Sequence, residues 1–177
     1  MTIAPDTPTF AAAVYKPDTI DRKALSRFVE QLLSRNTRVA GILQEAILDS
    51  GGEVIGLNAV DISDNSRLPI SRTTKNDDEC GLDVSALVET AGIIRKAISD
   101  RVDLVVVEKF GEQEQGGKGL NDEILQTIVA GIPLLIAVPE AALPIWQERT
   151  GELGSVLAFD EEAFRQWWQT ITGGQGT

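Results

Sequence analysis

Apolar and polar positions along this chain follow two alternating periods. Five short runs are nearly continuously apolar: TFAAAVY (9–15), RVAGILQ (38–44), VDLVVVE (102–108), IPLLIAVP (132–139) and SVLAF (155–159). Runs of this length and character read as strands covered on both faces. Between them apolar residues recur every three to four positions, as one face of a helix requires. A helix over 19–35 presents Ala24, Leu25, Phe28, Leu32 and Leu33, with Asp18 as its cap. A second, over 84–99 and capped by Asp83, presents Val84, Leu87, Val88, Ala91, Ile94 and Ile98. Further helices are predicted near 121–130, ended by Gly131, and over 140–149, carrying Trp146. Asp160 caps a last helix with Phe164, Trp167 and Trp168.

Residues 45–73 break this rhythm. The turns DSGGE (49–53) and SDNSR (63–67) flank VIGLNAV (54–60) and LPIS (68–71), which predicts a small antiparallel meander. TTKNDDECG (73–81) reads as a polar loop. Apolar strands alternating with amphipathic helices specify an α/β fold. The expectation is a three-layer sandwich around a mainly parallel sheet of about five strands, with the 45–73 meander appended. One domain over 9–172 accounts for the pattern, leaving 1–8 and 173–177 as flexible termini. Ligands of such sheets bind beyond the carboxyl ends of the strands. The loops 16–19, 109–120 and 139–141 therefore carry the functional question.

Charge narrows the partners. Asp and Glu number 27 against 16 Lys and Arg, a net charge of −11. So acidic a chain is poorly suited to nucleic acid or to an anionic membrane surface. No apolar run nears the ~20 residues of a bilayer span, and MTIAPDTPTF lacks a secretory pattern, so a cytoplasmic protein is expected. There is no histidine, which removes imidazole bases and histidine zinc sites. Cys80 is the single cysteine; it lies beside Asp77, Asp78 and Glu79, which disfavours its thiolate. Any metal would be held by oxygen, as magnesium is.

The loops give mixed signals. A phosphate loop of the form G-x-x-x-x-G-K-[ST] uses glycines to aim successive N–H groups at phosphate. No glycine lies between Tyr15 and the first helix, and Pro17 lacks an N–H altogether. Lys16 is then a point charge in a plain turn. Glu108 stands at a strand tip, where a carboxylate would hold magnesium, and Lys109 follows it. Gly116, Gly117, Lys118 and Gly119 have the composition of an anion nest, although Asp122 and Glu123 in the next helical turn oppose an anion there. The plainer reading of 108–120 is a mobile surface loop with solvated charges.

Several segments together carry a family resemblance: RVAGILQEAILDSGGEVIGLNAVDI, CGLDVSALVETAGIIRKA, DLVVVEKFGEQE and GIPLLIAVP. They resemble the cancer-related, THEP-type nucleoside-triphosphatases, which are P-loop enzymes. In those enzymes an Asp-Glu pair and then Ile-Gly stand where Glu108, Lys109, Phe110 and Gly111 stand here. The chain is more similar to an uncharacterised bacterial family derived from that fold and often encoded beside molybdate transport genes. Lys109 to Leu120, and PIWQERTG with the later Trp167-Trp168, carry that likeness.

The resemblance implies a P-loop-like fold from which the phosphate-binding motif has been lost. The leading expectation is a non-hydrolytic binding protein for a small oxoanion, molybdate-like, or for a phosphate-bearing ligand, in molybdenum uptake or homeostasis. Lys109, Lys118, Gly116, Gly117 and Gly119 would hold the anion, with Lys16 or Arg72 assisting. The alternative is a divergent nucleoside-triphosphatase using magnesium at Glu108. A third possibility is an interaction protein that docks a transporter subunit or a maturation factor through its tryptophans, or that pairs with a second copy of itself.

Overall fold

The computed structural model describes residues 8–18, 20–73, 80–82 and 84–173, with backbone alone at 71–73, 80–82, 84 and 85. Of the termini expected to be flexible (1–8 and 173–177), residues 1–7 and 174–177 lie outside the described residues, as do the side chains of Arg72 and Cys80 and the Asp83 cap. In chain order the elements begin with β1 (Phe10–Tyr15), α1 (Ala24–Ser34), β2 (Val39–Leu48), β3 (Val54–Asp61), β4 (Arg67–Thr73) and β5 (Cys80–Leu82). They continue with α2 (Val84–Ser99), β6 (Leu104–Val107), the single turn α3 (Glu112–Gln115), α4 (Asn121–Val129) and β7 (Leu134–Pro139). A 3-10 turn at Glu140–Ala142, then α5 (Leu143–Arg149), β8 (Ser155–Ala158) and α6 (Glu161–Thr172), complete the chain.

The strands form one eight-stranded sheet in the order β5-β4-β3-β2-β6-β7-β1-β8. β2, β6, β7, β1 and β8 are mutually parallel, as the apolar runs predict, and β6 lies inside the sheet, parallel to both neighbours. β3, β4 and β5 continue it antiparallel from β2. The meander is therefore an extension of the sheet rather than a separate appendage. It also reaches into the stretch expected to be loop, because Cys80 pairs with Thr73.

α1 and α6 cover one face and α2, α4 and α5 the other. Phe28, Leu25, Phe164 and Trp167 fill the first core; Ile94, Val107, Phe110, Ile124 and Trp146 fill the second. Full burial of each such side chain stabilises the fold by roughly 1.5–3 kcal/mol. Two expected inward positions face out: Leu33 is 41% exposed and Val88 62%. Val29 on α1 and Ala86, Thr90 and Ala97 on α2 take up the buried stripes instead. Asp18 does not cap α1, which starts later, with Lys23 at the N-cap position. Asp160 does cap α6, accepting the Ala163 N–H at 2.8 Å. Trp146 is 2% exposed, so it is a core residue and presents no face of its own for docking. Among the described residues no helix is long and apolar enough to cross a membrane.

Gly41 sets the geometry of β2. Its φ is +127°, and a Cβ there would lie 2.0 Å from the Val106 carbonyl oxygen. Only glycine allows β2 and β6 to approach this closely. Beyond Ile42, β2 leaves β6 behind and runs on paired with β3 as an arm rising past the carboxyl ends of the parallel strands.

Candidate ligand cleft at the strand ends

Directly after β6 comes Glu108, whose N–H donates to the Ile42 carbonyl at 2.8 Å. Its carboxylate accepts the Gln44 N–H at 2.7 Å, so it is held against the β2 arm. Burial pushes this carboxyl up from its usual 4.5 to about 7; the Gln44 N–H and the Arg22 charge act the other way. Tyr15, at the end of β1, is raised first by burial and then by the Glu108 charge, with Arg22 opposing. Tyr15, Arg22, Gln44 and Glu108 thus form one electrostatic group at the sheet's carboxyl edge.

Glu108 lines two clefts. The one on the α2 face holds about 440 Å³, between Ile42, Leu57, Ala59, Ile70, Leu87 and Val107 on one side and Lys109 and Gly111 to Glu114 on the other. The one on the α1 face holds about 420 Å³ and is bordered by Arg22, Lys23, Ser26, Leu43, Glu45 and Arg67. Arg67 is paired with Glu45 at 2.9 Å. Arg22 and Lys23 form no ion pair among the described residues.

Lys109 occupies backbone territory that favours glycine, with φ +131°. The turn there sends the Phe110 N–H to the Ala137 carbonyl at 2.8 Å. Phe110 is fully buried, 5.3 Å from the Trp146 ring. The Arg149 guanidinium lies 5.5 Å over its face.

The segment that follows differs from the mobile, open loop the glycines suggest. Gly116, Gly117 and Lys118 donate their N–H groups to the carbonyls of Glu112, Glu114 and Gln113. The Gly111 and Leu120 N–H groups each donate to the Glu114 carboxylate at 3.0 Å. The N–H groups at 116–118 of the expected nest are therefore spent on the turn's own carbonyls, and the Glu114 carboxylate takes the Gly111 and Leu120 N–H groups that flank it. Gly119 makes this possible, since a Cβ on it would lie 1.9 Å from a Glu114 oxygen. Arg149 clamps the whole turn, donating to the carbonyls of Glu114 and Gln115 and to the Asn121 side chain. Arg149→Ala removes donors from three acceptors and the contact with Phe110. A loss of about 2 kcal/mol is expected, measured by urea unfolding, with faster amide exchange at 111–120.

The residues proposed from sequence are only partly assembled. Glu108 and Lys109 share the α2-face cleft, but Lys109 is absent from the charges acting on Glu108. Lys118 is exposed and lines neither cleft. Lys16 sits at the end of β1, 3.7 Å from Glu140. Arg72 is opposite Gly56 on β4. Arg22, Gln44, Glu114 and Arg149 were missed. Only Glu114 carried a readable signal, the acid three residues after Gly111 whose carboxylate reaches back to the Gly111 N–H at the start of the α3 turn.

Comparison with known proteins agrees with the architecture. The chain is 34% identical over 160 residues to the molybdenum import ATP-binding protein ModC 2 of Bradyrhizobium diazoefficiens. That match covers 90% of this chain, and the chain spans 18% of the relative's length. It is 25% identical over 149 residues to the nucleoside-triphosphatase THEP1 of Thermoplasma acidophilum, covering 80% of each. The crystal structure of THEP1 from Aquifex aeolicus shares the fold, with a TM-score of 0.62 at 17% identity over 86% of this chain and 91% of that one. Sequence and fold thus relate the protein to P-loop nucleoside-triphosphatases, and over residues 10–167 the chain belongs to the family described as Protein of unknown function (DUF2478).

Proposed function

We propose that this protein binds a small oxoanion or a phosphate-bearing ligand at the carboxyl edge of its sheet, without hydrolysing nucleotide, and works alongside molybdenum import. The observation that carries this reading is Glu108. It sits between two clefts with Arg22 on one side and Lys109 on the other, its carboxyl already bound by the Gln44 N–H. A carboxyl pushed up to about 7 is about half protonated at neutral pH, and in its protonated form it donates a hydrogen bond to an anion instead of repelling it. Residues 16–23 contain no glycine, so a phosphate cradle of the G-x-x-x-x-G-K-[ST] kind is missing there. The setting comes from the Bradyrhizobium relative, which carries a region like this chain within a molybdenum import ATP-binding protein. A docking role toward such a transporter component is compatible with the same reading.

The test is a melting screen against molybdate, tungstate, phosphate, sulfate, and ATP or GTP with magnesium. An oxoanion at about 100 times its dissociation constant stabilises by about 2.7 kcal/mol, a rise of roughly 5–10 °C for a chain of this size. The second reading, a magnesium-dependent nucleoside-triphosphatase, is favoured by the Thermoplasma relative. Turnover above about one per minute that disappears in Glu108→Gln establishes that reading and overturns ours; most enzymes turn over at ~1–10³ per second.

A further inference from the structure

The α2-face cleft is too large and too apolar for an inorganic anion alone. A tetrahedral oxoanion has five heavy atoms and displaces on the order of three waters, ~90 Å³ at ~30 Å³ each. The cleft holds about 440 Å³. Its floor is aliphatic: Ile42 and Val107 at the strand ends, Leu57, Ala59 and Ile70 on the arm, and Leu87 on α2. Most of its polar groups, Gln44, Glu108, Lys109, Glu112, Gln113 and Glu114, gather on the side opposite α2, and Thr90 on α2 gives its hydroxyl to the Leu87 carbonyl at 2.8 Å. An apolar body with a few convergent polar groups is the usual make-up of a site for an organic ligand.

Lys109 supplies the second observation. It is half-buried at the rim and forms no ion pair among the described residues. Its backbone holds φ +131°, which glycine would adopt without strain. Backbone strain in a side-chain-bearing residue collects where that side chain has work to do. Of the nearby acids, Glu108 is turned to the Gln44 N–H, Glu114 to the Gly111 and Leu120 N–H groups, and Glu112 is exposed.

We infer that the α2-face cleft binds an organic anion, with an aliphatic or aromatic body against Leu57, Ile70 and Leu87 and a single phosphate or carboxylate group at Lys109. This rests on the anion-binding reading above and specifies its ligand class. It replaces a molybdate-sized ligand with one that has a body.

A series with a constant headgroup tests it: inorganic phosphate, phenyl phosphate and 1-naphthyl phosphate, titrated calorimetrically into the full chain. Affinity is expected to rise at least tenfold from phosphate to naphthyl phosphate. Lys109→Gly is expected to melt at or above the parent's temperature, since the strain is relieved, yet to lose at least tenfold in naphthyl phosphate affinity. Leu87→Asp, a change at a half-buried position of the cleft's apolar floor, is expected to weaken naphthyl phosphate more than phosphate. Equal affinities across the series overturn the inference, as does a naphthyl gain that survives both substitutions. Tight molybdate or phosphate binding without a gain from the ring leaves the anion-binding reading standing and sinks this one. A gain from the ring that depends on Lys109, with no binding of inorganic anions, does the reverse for the molybdate-sized ligand.

Discussion

Glu108→Gln is expected to stabilise the protein, and to do so more as the pH rises. The glutamine keeps the shape of the side chain, and its amide oxygen still accepts the Gln44 N–H. What it removes is the cost of ionising a buried carboxyl. In the unfolded chain this group titrates near 4.5 and in the folded protein near 7. Between those values the folded state binds the proton more tightly, so the contribution of Glu108 to stability is fully present below about 4.5. It declines through the window and is lost above about 7. The shift corresponds to about 3 kcal/mol. The variant should therefore exceed the parent by about 1 kcal/mol near pH 5.5 and by about 3 kcal/mol near pH 8.5. Urea unfolding of both proteins at the two pH values measures this directly. Taking the difference matters, because Asp21, held low by its hydrogen bond to Arg27, contributes with the opposite sign. A difference that does not grow with pH would show that Glu108 is ionised without penalty, and the neutral donor assigned to it would be lost.

Gly41→Ala is expected to cost about 4 kcal/mol or more, a large share of the ~5–15 kcal/mol that stabilises a domain. Two penalties combine. The residue's φ of +127° is closed to alanine, and the new Cβ would lie 2.0 Å from one backbone oxygen and 2.9 Å from the Val106 nitrogen and carbonyl carbon. Backbone atoms at the sheet's centre cannot step aside as a flexible side chain would. Gly52→Ala is the control, with φ +84° and nothing within 4 Å of the added carbon. It should cost only about 1 kcal/mol. Soluble yield and thermal unfolding separate the two. If both behave alike, the close approach of β2 to β6 is not what Gly41 serves. The same pivot aims residues 43–48 away from β6 and brings the Gln44 N–H to Glu108, so the site and the fold share this residue.

The parallel core was legible because burial on both faces writes a plain signal. Ala11, Val105, Val106, Leu135 and Ile136 admit no polar neighbours, so their strands stand out as unbroken apolar runs. β5 was not legible: three residues paired to β4 carry no pattern of their own, and Cys80, Gly81 and Leu82 follow a long polar stretch. The site divides along the same line. Glu108 was found because it ends an apolar run. The glycines at 116–119 suggested an empty nest, since composition shows where N–H groups can turn but not what they bind. The Gly116 and Gly117 N–H groups go to the loop's own carbonyls, Glu114 takes those of Gly111 and Leu120, and Arg149, which closes the arrangement, comes from a helix about thirty residues on. Arg22 was overlooked for a similar reason: its influence on Glu108 depends on which strand ends the sheet order brings together.

The place of β1 in the sheet also governs how the chain assembles in time. Of these eight strands β1 is made first, but its two neighbours are β7 and β8, made from residues 134–139 and 155–158. Until those are synthesised, the apolar stretch Phe10–Tyr15 has no strand to pair with. The arm is the opposite case: β2, β3 and β4 are joined by short turns and pair in sequence order, so they can zip locally while synthesis continues. The arm is thus expected to form before the parallel sheet closes around β1, a step with a high loop-closure cost. During that interval the exposed β1 segment is the natural target for a holding chaperone, and for mispairing when none is at hand.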